Sequence, residues 1–376
     1  MRGASGNFVN PANNINFGQL FTDRADTIQM NQAMLTLERD INSSAPGYDF
    51  GFKLQGMYGT DSRFTHFFNE LDRVTNSPYQ WDVTEADVQA HLPWLTSGGV
   101  DAKIGQYPTP LGYEGIDHSQ NLFYSHSYIF DFGLPFKHTG ILTTTHVDST
   151  LDIWAGLDTG VNDSVGTKGI NNDEFPKALG GFGLNNLLGG KLTILALAHI
   201  GPENPIGVPQ YRSALREYYD IVTIYKISNA WTSTTELNAV HDDYFDATAG
   251  GVAQYLSYAV NSQITLNARA EMFADEANRS KGFGGFVCAD PGSFDAVDAQ
   301  RGLLPNTSYC GGSVTYGELT LGVSYKPPVP YGSITIRPEV RYDTDFSGGK
   351  VFDMNSAGVN TRTGEFTTAM DIILAF

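Results

Sequence analysis

Between Lys103 and Lys137 the chain carries three carboxylates, Glu114, Asp117 and Asp131, and no lysine or arginine. The same stretch holds eight aromatics (Tyr107, Tyr113, Phe123, Tyr124, Tyr128, Phe130, Phe132 and Phe136) and is punctuated by Pro108, Pro110, Gly112, Gly115, Gly133 and Pro135. It shows neither a helical period nor a long alternation. Irregular segments of this length are usually functional or disordered, and so many aromatic side chains argue for burial. Elsewhere, bases stand singly inside alternating stretches: Arg39, Lys53, Lys103, Arg269, Arg337 and Arg341. Acid on one segment facing base on others would set a field across a cavity, orienting dipolar solutes and screening ions. The alternative is structural. The same bases could pair with Glu38, Glu271, Glu339 and Asp343 and stiffen a wall, and both readings can hold for different members.

Other chemistries find less support. His138 and His146 are too far apart on one strand to share a metal, and His91, His118, His126 and His199 lie on other segments. They read as solvated side chains, and no metal or other cofactor is expected. Ser125-His126 has no readable orienting group, so a hydrolase is a weak alternative. The acidic segments Asp158–Asp163 and Asn171–Glu174 match no EF-hand spacing and read as solvated loops. Cys288 and Cys310, the only cysteines, share a Gly/Asp/Asn-rich segment, which fits a loop disulfide in an oxidising compartment. Such a bridge would close a loop of about twenty residues and add roughly 3 kcal/mol in the chain-entropy model.

The elements that must position these groups are strands. Phe50, Phe52 and Leu54 alternate with Asp49, Lys53 and Gln55; Ile264, Leu266, Ala268, Ala270 and Met272 with Thr265, Asn267, Arg269 and Glu271; Ile334, Ile336, Val340 and Tyr342 with Thr335, Arg337, Glu339 and Arg341. Period two marks a strand with unlike faces. Strands are expected at 1–9, 28–40, 48–58, 83–92, 100–107, 137–147, 151–159, 176–184, 191–200, 216–227, 230–240, 251–260, 263–273, 313–326, 333–343 and 364–376, sixteen in all. Short turns, such as Asp148–Thr150, Ser228–Asn229 and Asn261–Ser262, strictly take turns with long loops, of which 108–136 is the third. That sorting predicts an all-β, up-and-down antiparallel transmembrane barrel, residues 1–376 forming one domain, with short periplasmic turns and long extracellular loops.

A soluble sandwich also alternates, but its connections do not sort into a short and a long set. Tyr and Phe cluster at strand ends, as girdles at two membrane interfaces would. The final strand alternates Phe366, Thr368, Met370, Ile372, Leu374 and Phe376 to the last residue. No apolar run approaches the ~20 residues of a transmembrane helix. No apolar leader lies near Met1, so any export signal is expected to have been removed. With 41 Asp+Glu against 23 Lys+Arg and a net charge of −18, the chain lacks the basic stripe that nucleic acid requires.

The stretches NQAMLTLERDI (31–41), GYDFGFKLQGMYGTDSRF (47–64), 103–140, HIGPEN (199–204) and ITIRPEVRYD (334–343) resemble the OmpL-like β-barrel porins of Gram-negative bacteria. The resemblance implies the bacterial outer membrane, with lipid and lipopolysaccharide as neighbours, and passive diffusion of small hydrophilic solutes or ions. By the same likeness of architecture, the third long loop folds inward as a constriction, with Glu114, Asp117 and Asp131 facing water opposite Lys53, Lys103, Arg269, Arg337 and Arg341. A structural or partner-binding barrel plugged by 108–136 is the runner-up. A homotrimer fits such a barrel, yet no outward apolar patch stands apart from the lipid-facing band. Oligomeric state and ion preference stay open.

Overall fold

The computed structural model describes residues 4–7, 16–67, 70, 71, 74, 77–161, 163, 164, 176–203, 212–289, 312–354 and 360–376. The expected strands form, all antiparallel, in one sheet. In chain order they are β1 (Ala4–Asn7), β2 (Ile28–Met30, resuming as Ala33–Arg39), β3 (Asp49–Gly59), β4 (Gln80–Leu92), β5 (Val100–Pro108) and β6 (Lys137–His146). Next come β7 (Leu151–Asp158), β8 (Lys177–Asn186), β9 (Leu192–Gly201), β10 (Arg216–Lys226) and β11 (Trp231–Asp242). The series ends with β12 (Ala247–Ala259), β13 (Ile264–Asp275), β14 (Val314–Tyr325), β15 (Ser333–Asp345) and β16 (Gly364–Ala375). Each pairs with its neighbours in sequence from β2 to β16, and β1 hydrogen-bonds to β16 on one side and β2 on the other. This is the order of an up-and-down barrel.

What the strands bury decides which solvent the barrel sits in. Val88, Leu266, Met272, Leu319, Val340 and Tyr342 are exposed, while Asp87, Arg269, Glu271, Glu318, Arg337, Glu339 and Arg341 on the alternate faces of the same strands are buried. A sheet with apolar residues outside and charges inside suits hydrocarbon around a polar lumen. Aromatics ring both ends of the outer face. Tyr48 and Trp94, joined by an indole N–H to hydroxyl hydrogen bond of 3.1 Å, and Trp231 stacked on Tyr258 mark the short-turn rim. Tyr58 against Trp81, with Tyr219 and Tyr342, marks the other.

The short turns close as their residue types dictate. Asp148 Oδ1 accepts from the N–H groups of Thr150 and Leu151, Asn261 Oδ1 from those of Gln263 and Ile264, and Ser228 Oγ from those of Ala230 and Trp231. Strand β2 is interrupted where Asn31 and Gln32 each donate a side-chain amide to Asp61, at 2.8 Å. The long loops do not simply project outward. Leu20 and Phe21 of the first, Phe64 of the second, and most apolar side chains of 108–136 form a buried cluster inside the barrel, and Phe67 is buried as well.

Candidate pore constriction

The 108–136 segment fits into the lumen because the wall supplies acceptors for its backbone. The wall strands place carboxylates on the inner face by simple alternation. Asp220 on β10 accepts from Gly112 N (3.1 Å), and Glu236 on β11 accepts from Tyr113 N (3.1 Å). Glu339 on β15 accepts from Tyr124 N (2.7 Å) and Ser125 N (3.1 Å). Glu271 on β13 accepts from Tyr128 N (2.7 Å) and Ile129 N (2.8 Å), which begin the short helix Tyr128–Phe132 capped by Ser127. Gly112 has a left-handed φ of 88°, and a Cβ there would overlap the Leu134 side chain, so a tight entry next to Glu236 needs glycine.

The wall arginines complete the attachment from the donor side. Arg269 donates to Glu318 (2.8 Å), to Glu114 (2.7 Å) and to the carbonyls of Ser125 (2.9 Å) and His126 (3.1 Å). Arg341 pairs with Asp343 (2.7 Å), bonds the His126 carbonyl and lies over the Tyr128 ring. Arg337 pairs with Asp371 and donates to the carbonyls of His118 and Asn121. These three arginines therefore do not form an open basic patch. They are buried, paired, and spent on loop carbonyls that would otherwise be orphaned. Of the acids weighed as their partners, Asp343 is one, whereas Glu271 and Glu339 serve loop N–H groups instead.

Two of the three loop carboxylates also depart from the expectation that they face water. Glu114 is buried among Arg269, His126 Nδ1 (2.6 Å), Tyr255 Oη (3.0 Å) and Ser127 N (3.2 Å). Burial pushes its carboxyl up, but Arg269 and His126 outweigh that and hold it down at about 2. Asp131 is buried too, accepting from Leu20 N at 3.2 Å, and burial drives its carboxyl well above the usual range. Both are turned inward because their partners lie on distant strands and in the first loop. His126 stacks on Phe130 at 4.0 Å, and Phe21 packs on His126, Phe130 and Phe136, locking first and third loops together.

Across the lumen the picture is open. A cavity of about 610 Å³ runs from Ser43 and Asp101 near the short-turn rim up to the near edge of the loop. Its loop side carries Tyr113 and Asp117, and its wall side carries Lys53, Gln55, Glu85 and Lys103. Lys103 and Lys53 both reach Glu85, at 2.7 and 3.1 Å, and each keeps about a third of its side chain exposed (31% and 27%). Of the residues expected at a constriction, Lys53, Lys103, Glu114 and Asp117 border this space, whereas Asp131, Arg269, Arg337 and Arg341 lie behind the loop or fasten it. Residue types alone do not single out Asp220, Glu236, Glu318 and Asp371; their place on the inward face of alternating strands is the signal. Of the expected Cys288–Cys310 pair, Cys310 lies outside the described residues.

A polar-lined barrel with an inward third loop is porin architecture, and sequence agrees. Residues 2–376 match the model of the family described as "Putative beta-barrel porin-2, OmpL-like". The chain belongs to this porin family. No curated protein is similar to it in sequence. Among solved structures, it resembles OprB of Pseudomonas putida (TM-score 0.59, 13% identity, 100% of this chain and 92% of that one). It also resembles an anion-selective porin from Comamonas acidovorans (TM-score 0.57, 11% identity, 92% and 90%). A third likeness is to OmpT of Vibrio cholerae, solved as a trimer (TM-score 0.50, 11% identity, 99% and 96%). At these identities the likeness is one of fold. This OmpL-like porin is a β-barrel channel of the bacterial outer membrane.

Proposed function

We propose that residues 1–376 form one barrel in which 108–136 is the constriction loop. Small hydrophilic solutes and ions would pass between the loop edge bearing Asp117 and the wall bearing Lys53 and Lys103. The observation that carries this reading is the cavity bordered on opposite sides by those groups. A negative loop edge facing two partly exposed lysine side chains sets a transverse field in a narrow, low-dielectric passage. Glu85 tempers the wall charge, so the passage takes ions of both signs. The role is transport and not catalysis. The apolar belt faces outer-membrane lipid, with lipopolysaccharide at the long-loop rim, and the likeness to a trimeric porin supports a homotrimer.

The test is the reversal potential in a salt gradient across a planar bilayer. Lys53→Met with Lys103→Met leaves Glu85 and Asp117 uncompensated and is expected to shift the potential toward cation selectivity. Asp117→Asn shifts it the opposite way. If neither variant moves it, these groups do not line the path. A second reading, a barrel plugged by its loop, draws on the number of wall groups that fasten the segment. It predicts no conductance at all.

A further inference from the structure

We infer that His138, Asp158 and His199 form a binding site for a divalent transition-metal cation of the zinc type on the lumen wall. The three side chains come from β6, β7 and β9, all at the long-loop end, and all are at least 97% buried. Their ligating atoms lie within 4.8 Å of one another. His199 Nε2 is 3.0 Å from Asp158 Oδ1, and His138 Nδ1 is 3.5 Å from Asp158 Oδ2. A tetrahedral ion with bonds of about 2.0–2.2 Å holds its ligand atoms about 3.3–3.5 Å apart.

The decisive feature is what these atoms lack. His138 Nδ1 and Asp158 Oδ2 have no hydrogen-bond partner although both are buried. The other nitrogen of His138, Nε2, is 3.1 Å from the Thr109 hydroxyl. In the tautomer that donates Nε2–H to the Thr109 hydroxyl, Nδ1 presents a lone pair to a carboxylate oxygen. Two electron-rich atoms then face each other, an arrangement that a cation between them stabilises. A histidine fixed through its distal nitrogen is also how metal-binding imidazoles are oriented. Asp158 and the buried Glu203 share this end of the wall with Lys177, whose ammonium donates to the Thr159 carbonyl at 2.6 Å, and with Arg216, paired to Asp242 at 2.8 Å. Two imidazoles and a carboxylate, without thiolate, suit zinc and its neighbours better than calcium or magnesium. Thr109 borders the large cavity, so one side chain separates the site from the water-filled path. A bound ion would brace β6 to β9 beside the point where the constriction loop rejoins the wall.

The test uses the untagged, full-length barrel refolded in detergent and stripped with chelator. Zn²⁺ alone is titrated by calorimetry, and the loaded protein is examined by zinc-edge X-ray absorption. Expected are one ion per chain and a shell of two imidazole nitrogens plus oxygen. His138→Gln and His199→Gln should each weaken binding at least 100-fold, while His146→Gln, on the same strand but outside the site, leaves it unchanged. Where the variants fail to give heat-modifiable folded barrels, the wild-type absorption spectrum decides alone. No stoichiometric uptake, a shell without two imidazoles, or binding that survives both site variants overturns the inference.

Discussion

Replacing Glu271 by alanine is the sharpest probe of how the 108–136 loop is held. Its carboxylate accepts from Tyr128 N and Ile129 N at 2.7 and 2.8 Å, and both amides are buried. A typical hydrogen bond contributes about 0.5–1.5 kcal/mol net, so Glu271→Ala removes about 1–3 kcal/mol from the 127–133 turn. The attachments at Gly112, Tyr113, Tyr124 and Ser125 remain, so the turn opens locally and the loop stays in the lumen. When cleavage is slow, proteolysis follows the population of the open form. The lower figure then raises chymotryptic cutting at Tyr128, Phe130 or Phe132 about fivefold and the upper about 100-fold, at 1.4 kcal/mol per tenfold. Glu271→Gln keeps one acceptor oxygen and should fall between. The assay is limited chymotrypsin digestion of folded barrel, read by mass spectrometry, beside open-channel current noise. A cutting rate within threefold of wild type, with unchanged noise, refutes the account of wall carboxylates as the loop's fastening.

Two more predictions come from the outer face and from titration. Leu54, at the middle of β3 and 52% exposed, should cost about 2–4 kcal/mol when changed to arginine, measured by urea unfolding in lipid vesicles. Glu114 has its folded pKa depressed from 4.5 to about 2, so its contribution to loop attachment is complete above pH 4.5 and is lost as pH falls through about 2. Current noise should therefore be alike at pH 7 and 5 and rise as pH falls below 4.5, with Glu114→Gln noisy throughout; a Glu114→Gln channel as quiet as wild type would count against this role.

Much of the barrel was legible because alternation and turn chemistry are local. Asp148, Ser228 and Asn261 announce their turns, and strands β2 to β16 fall where period two places them, while β1 is expected only because the sheet needs a strand to close it. Boundaries slip where local signal is weak. Strand β12 begins at Ala247 and not near 251, since the small residues Ala247–Gly251 have little strand preference of their own and are held by pairing with β11. The burial of the 108–136 aromatics was readable from their number. The fate of its carboxylates was not, because it depends on contacts across the barrel: Glu114 meets Arg269, 155 positions away. Nor do Phe17–Asp23 and Ser62–Phe67 advertise that they turn inward, beyond Leu20, Phe21, Phe64 and Phe67 being unusually apolar for surface loops. His138, Asp158 and His199 converge only because β6, β7 and β9 curve around one wall; their spacing in sequence carries no such signal.

The central claim is that water and solutes pass between the fastened loop and the Lys53–Lys103 wall. Single-channel recording of the folded protein in a planar bilayer tests it most directly. Stable ohmic steps, whose size changes when Lys53 and Lys103 are replaced by methionine, are the predicted result. Folded, inserted barrel that gives no steps would contradict the claim and leave the loop as a plug.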